Sequence, residues 1–149
     1  MSLEKDIVQS KFSSEEQKAF INIIYTHNFL INNLNSIFKS HKITRQQYNV
    51  LRILRGQHPK PASINLIKER MLDKMSDASR IVDRLKAKEL VTSVPCKHDR
   101  RATDVNISKK GLQLLEQTDG DVEIATNLLR KLSRSELESL NTLLDKVRA

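Results

Sequence analysis

The sequence lacks most of what would staple, anchor or catalytically equip a chain. Its single cysteine, Cys96, has no partner for an intramolecular disulfide, so stability must come from a buried core, as suits a reducing compartment. No apolar run approaches the length of a membrane span, and the first ten residues, MSLEKDIVQS, contain no apolar signal core. These absences predict a soluble cytoplasmic protein. His27, His41, His58 and His98 are scattered, without the close His/Cys/Glu spacing of a metal site, so no metal or cofactor is expected. No glycine-rich phosphate loop, nucleophile motif or recognisable pair of acids stands out, and the chain does not read as an enzyme. Aromatic residues make up 4% of the chain and do not interleave with basic ones, which argues against a platform for stacking unpaired bases.

What the chain does have is positive charge in one place. The net charge is +8, yet His41 to Lys110 holds 17 Lys and Arg against 7 Asp and Glu. That segment carries a surplus of +10, and the rest of the chain is at −2. Charge concentrated in this way is the footprint of a surface for a polyanion, and double-stranded DNA suits it best.

A single domain of 149 residues, mainly helical with one small hairpin, accounts for the periodicities. Ser13 with Glu16, or Ser14 with Gln17, opens a long apolar helix that runs to about Ser40. Thr44 and Gln47 cap a second helix ending at Gly56, and Pro59 and Pro61 mark an extended linker to Ala62. Ser63 caps a third helix, Leu72 to Met75 form a turn, and Ser76 caps a fourth. Leu90, Thr92, Val94 and Cys96 alternate onto one strand face, expected to turn inward, with Pro95 tolerated near the end of an edge strand. Thr103, Val105 and Ile107 form the returning strand. Ser108 caps a fifth helix, with Gly120 a bend point, and the Ser133–Glu136 capping box opens a sixth.

Helix, tight turn, helix and basic hairpin together read as a winged helix-turn-helix over about residues 44–110. In the fourth helix Ala78, Ile81, Val82 and Leu85 face a core, while the opposite side carries Ser76, Ser79, Arg80, Asp83 and Ala87, with Asp77 and Arg84 at its edge. The flanking helices, about 13–40 and 111–149, carry more apolar surface than so small a lobe can cover. A second copy would cover it, giving a two-fold dimer that binds a palindromic operator with half-sites about one duplex turn apart.

The stretch MSDASRIVDRLKAKELV, followed by DRRATDVNISKKG, resembles the MarR family of winged-helix transcription regulators. The likeness rests on Ser76, Ser79, Arg80, Asp83, Arg84 and Leu85 in the helix, Leu90 and Val91 opening the wing, Asp99 and Arg101 at its tip, and Ser108 and Gly111 heading the next helix. Two departures concern local geometry: Glu89 stands where the family usually has a glycine cap, and the turn Leu72–Met75 lacks the glycine often found there. The resemblance implies a DNA-binding regulator, commonly a repressor, of a family in which an effector often binds between the dimerisation helices and the DNA-binding lobe; the sequence names no effector.

Ser76, Asp77, Ser79 and Arg80 are the residues placed for base edges and phosphates, with Asp77 suited to the helix dipole rather than to DNA. Arg84 either meets phosphate or pairs with Asp83 or Asp77. Arg100 and Arg101 suit a narrow minor groove, Asp99 orders the tip by pairing with one of them, and Lys74, Lys97, Lys109 and Lys110 suit phosphates. For a small aromatic or lipophilic effector, Tyr25, Phe29, Phe38, Tyr48 and Leu115 are the lining residues to weigh against plain core packing. Two other readings remain: a winged-helix protein-interaction module, and a redox-responsive regulator acting through Cys96, a residue better suited to a buried structural role.

Overall fold

The computed structural model describes residues 2–96 and 103–149, so Lys97, Asp99, Arg100 and Arg101 lie outside the described residues. In chain order the elements are α1 (Leu3–Asp6), α2 (Glu15–Ser40), α3 (Arg45–Gln57), β1 (Ala62–Ser63), α4 (Ile64–Arg70), α5 (Ala78–Ala87), β2 (Val91–Pro95), β3 (Thr103–Ile107), α6 (Lys109–Thr126) and α7 (Arg134–Arg148). A 3₁₀ turn, Asn127–Lys131, follows α6.

Caps set most of these boundaries. Ser14 accepts from the Gln17 amide to start α2, and reciprocal capping boxes at Thr44–Gln47 and Ser133–Glu136 start α3 and α7. Ser63 and Ser108 accept from the amides of Leu66 and Gly111 to start α4 and α6. Helix α6 runs through Gly120 without interruption.

The sheet is antiparallel, in the order β1-β3-β2. Strand β1, two residues long, was not foreseen: it lies at the end of the proline-rich linker and pairs Ala62 with Val105 and Ser63 with Asp104. Too short to show periodicity, it exists because β3 offers it an open edge. Pro95 ends β2, an edge strand, where a missing amide is tolerated.

The core lies among α3, α4, α5, the sheet and α6, with Val50, Leu51, Ile67, Leu85, Val105 and Leu115 fully enclosed. Each of these leucines and isoleucines contributes roughly 2 kcal/mol through burial. Phe38 brings the end of α2 into this core, its ring 4.6 Å from that of Tyr48. The outer half of α2 is different. Phe20, Ile23, Ile24, Tyr25 and Phe29 are exposed, as are Leu140, Leu143 and Val147 on α7, which buries no residue. Among the described residues no helix is long and apolar enough to cross a membrane.

Candidate nucleic-acid interface

The interface starts at the turn before α5. Asp73 accepts from the Met75 amide (3.1 Å) and from the Ser76 hydroxyl (2.8 Å), which draws the chain into a tight loop. The Ser76 hydroxyl, then the Met75 amide, hold the Asp73 carboxyl below the usual carboxylate range. Asn49 on α3 accepts from the Leu72 amide (2.9 Å), so the turn is tied to the helix behind it. Ser76 therefore does not cap α5. The cap is Asp77, whose carboxylate accepts from the Arg80 amide at 3.1 Å, and the Ser76 hydroxyl is committed backwards to Asp73.

Helix α5 turns Ala78, Val82 and Leu85 into the core, with Ile81 half-buried. Ser79, Arg80, Asp83 and Arg84 are exposed on the other side, together with Lys74 in the turn. Lys74 donates to the Glu69 carbonyl, so its ammonium is held over the end of α4. Among the described residues Arg84 forms no ion pair with Asp77 or Asp83. The arginines of α5 point outward with their guanidinium groups in solvent.

The joint between α5 and the wing is a Schellman cap. Glu89 takes the left-handed conformation at φ 62°, the Leu90 amide donates to the Leu85 carbonyl (3.0 Å), and the Glu89 amide donates to the Lys86 carbonyl (2.9 Å). Leu85 and Leu90 are both buried in the same core, supplying the apolar contact that accompanies the motif. Lys110 pairs with the Glu89 carboxylate at 2.9 Å and holds it below its usual pKa, and Lys109 and Lys110 are both exposed.

This cap overturns the expected facing of β2. Leu90 belongs to the cap, and the strand begins at Val91, opposite Ile107. The inward side is Val91 and Ser93 beside Val105 and Ile107, whereas Thr92 and Val94 are exposed. Cys96 follows the strand and is half-buried.

Gly111 completes the joint. A Cβ there would lie 2.3 Å from the Leu90 carbonyl oxygen and 2.8 Å from Ile107 Cγ1, so only glycine lets the start of α6 pass this close to the wing.

Behind the interface a cavity of about 910 Å³ opens between α2, α3, the turn before α5 and α6. Leu34, Phe38, Tyr48 and Ile53 form its apolar wall, and Arg45 and Arg52 bring positive charge to it. Of the five expected lining residues it contains Phe38 and Tyr48. Tyr25 and Phe29 instead border a pocket beside α1, and Leu115 is enclosed in the core. Residues that sequence reasoning missed are Asn49, Leu72 and Asp73, which line the cavity and also hold the turn before α5. Two side-chain contacts brace α6 as well: Arg55 forms an ion pair with Asp119 through both terminal guanidinium nitrogens (2.6 and 3.2 Å), and the His41 ring is hydrogen-bonded to Asp121 at 2.7 Å. No local pattern announces such long-range partners.

Residues 41–102, the lobe just described up to the wing tip, match the MarR family. The chain is 27% identical over 137 residues to the HTH-type transcriptional repressor IacR of Pseudomonas putida, covering 89% of this chain and 79% of that one. Its fold is that of solved MarR structures. A cysteine variant of Escherichia coli MarR in complex with operator DNA superposes with a TM-score of 0.77 at 24% identity, over 93% of this chain and 99% of the other. Bordetella bronchiseptica BpsR, whose DNA binding is regulated by 6-hydroxynicotinic acid, gives 0.74 at 21% identity, over 89% and 99%. Over residues 41–102 the chain is thus similar to the MarR family, and its fold is the winged helix of these DNA-binding regulators.

Proposed function

We propose that the protein is a homodimeric repressor that reads a palindromic operator, with residues 44–110 as the reading lobe and 13–40 and 111–149 as dimerisation helices. The observation that carries this reading is the pairing of an outward Arg80–Arg84 face on α5, without ion pairs among the described residues, with uncovered apolar faces on α2 and α7. Ser79 and Arg80 read base edges, Arg84 and Lys74 meet phosphate, and Asp77 holds the helix start. In the wing, Lys97 meets phosphate, and Arg100 and Arg101 serve the minor groove with Asp99 as their orienting partner.

The cavity supports a regulated repressor. Phe38, Tyr48, Arg45 and Arg52 suit a small aromatic acid, matching the ligand named for the Bordetella relative. Such a ligand would press on Leu72 and Asp73, which hold the turn before α5, and so shift the balance between DNA-competent and incompetent arrangements.

Selection of bound duplexes from a random pool tests this at a stated salt concentration, with Arg80→Ala and Arg101→Ala alongside. Wild type should enrich a palindrome, Arg80→Ala should relax one base position per half-site, and Arg101→Ala should weaken binding through flanking A·T sequence. Small aromatic acids should release the selected duplex from wild type and not from Arg52→Ala. Binding that only fades with rising salt, with no sequence enriched, would replace this reading with that of a protein-interaction module.

A further inference from the structure

We propose that Met75 is a base-reading residue whose side chain packs against the 5-methyl group of a thymine in the major groove. The inference rests on α5 being the groove-reading helix. Met75 is 94% exposed and Leu72 86% exposed, at either end of the turn before α5. A lone exposed apolar residue is ordinary; what sets this one apart is its place and its fixed backbone. Leu72 lies along the rim of the ligand cavity, which accounts for it. Met75 is absent from the lining of that cavity and from the two smaller described pockets.

Its main chain is held by the Asp73 carboxylate, which accepts from the Met75 amide and from the next residue's hydroxyl. The side chain is thus presented from a fixed point, just ahead of Ser79 and Arg80. Because the Ser76 hydroxyl proton is spent on Asp73, the exposed Met75 side chain beside it offers apolar contact where a free serine hydroxyl would donate. Exposed Lys74 stands on one side and Arg80 further along, so the surroundings attract phosphate while Met75 itself offers only apolar contact. In the major groove the thymine methyl is the one apolar feature that distinguishes a base, and a flexible thioether adapts well to it. Serine and arginine alone would read donors and acceptors; Met75 adds thymine.

The test replaces each thymine of the selected palindrome, one symmetric pair at a time, by deoxyuridine, which lacks only the methyl. Wild type should lose about fourfold in affinity per half-site at one position, the effect of a single buried methyl-sized group. Met75→Ala should bind more weakly to the parent duplex and be indifferent to deoxyuridine there, and Met75→Leu should keep the thymine preference. Unchanged thermal melting of both variants would show that the fold is intact, as expected for so exposed a side chain. If wild type enriches a palindrome but Met75→Ala retains every thymine-to-deoxyuridine loss, or wild type shows none, the role of Met75 is refuted while the groove-reading helix stands. If wild type enriches no sequence, both readings fall together.

Discussion

Glu89 holds a left-handed conformation that glycine adopts without the Cβ penalty, because the Schellman cap at the end of α5 needs positive φ there. Its carboxylate gains only an exposed ion pair with Lys110, the kind of contact that contributes little in water. Glu89→Gly is therefore expected to raise stability by about 1 kcal/mol, the scale of the left-handed penalty, visible as a higher urea midpoint with an unchanged slope. A lower midpoint would mean that the ion pair outweighs the strain. The departure from the family glycine was legible in the sequence, but its outcome was not, since a helix can also end without a left-handed residue. The same holds for Ser76 and Asp77. Both are good capping types, and the choice fell to Asp77 only because Asp73 claims the Ser76 hydroxyl.

Helix α5, the wing and α6 meet at one crowded point, where Gly111 passes the Leu90 carbonyl. That oxygen also accepts from the Ser108 amide (3.0 Å), so it cannot move aside to admit a methyl group. Gly111→Ala should cost roughly 1–3 kcal/mol, as overpacking does, and lower the melting temperature by several degrees. Since Leu90 joins α5 to the wing, duplex binding should weaken as well, and calorimetry paired with a binding titration would separate the two effects. An alanine variant as stable as wild type would mean that α6 shifts freely. The elements themselves were largely readable: the helix starts at Ser14, Thr44, Ser63, Ser108 and Ser133 follow local capping rules that need no tertiary partner. The facing of β2 was misread because Leu90 is buried as part of a helix cap, which shifts the strand's inward side by one residue. Period-two patterns are fragile in just this way, as one extra turn residue exchanges the two faces.

For the whole molecule, the uncovered faces of α2 and α7 are the largest unfinished feature, since Phe20, Leu143 and Val147 are each more than half exposed. If a second copy covers them, Leu143→Glu buries a carboxylate in that contact and should yield monomers by sedimentation at concentrations where wild type is dimeric. Duplex affinity should then fall by at least about tenfold, because each lobe would bind alone. A Leu143→Glu protein that stays dimeric with unchanged affinity would move the dimer contact away from α7.

Local chemistry in the sequence determined the helices and their caps, the concentration of positive charge between His41 and Lys110, and the residues that face outward on α5. Capping and helical periodicity act within a few residues, and charge placement needs no fold to be counted. Tertiary structure alone decided which side of β2 turns inward and which aromatics line the cavity. Those outcomes depend on partners far away in the chain: β3 opposite β2, Asn49 reaching Leu72, and Asp119 bound to Arg55. Only packing brings such groups within bonding distance.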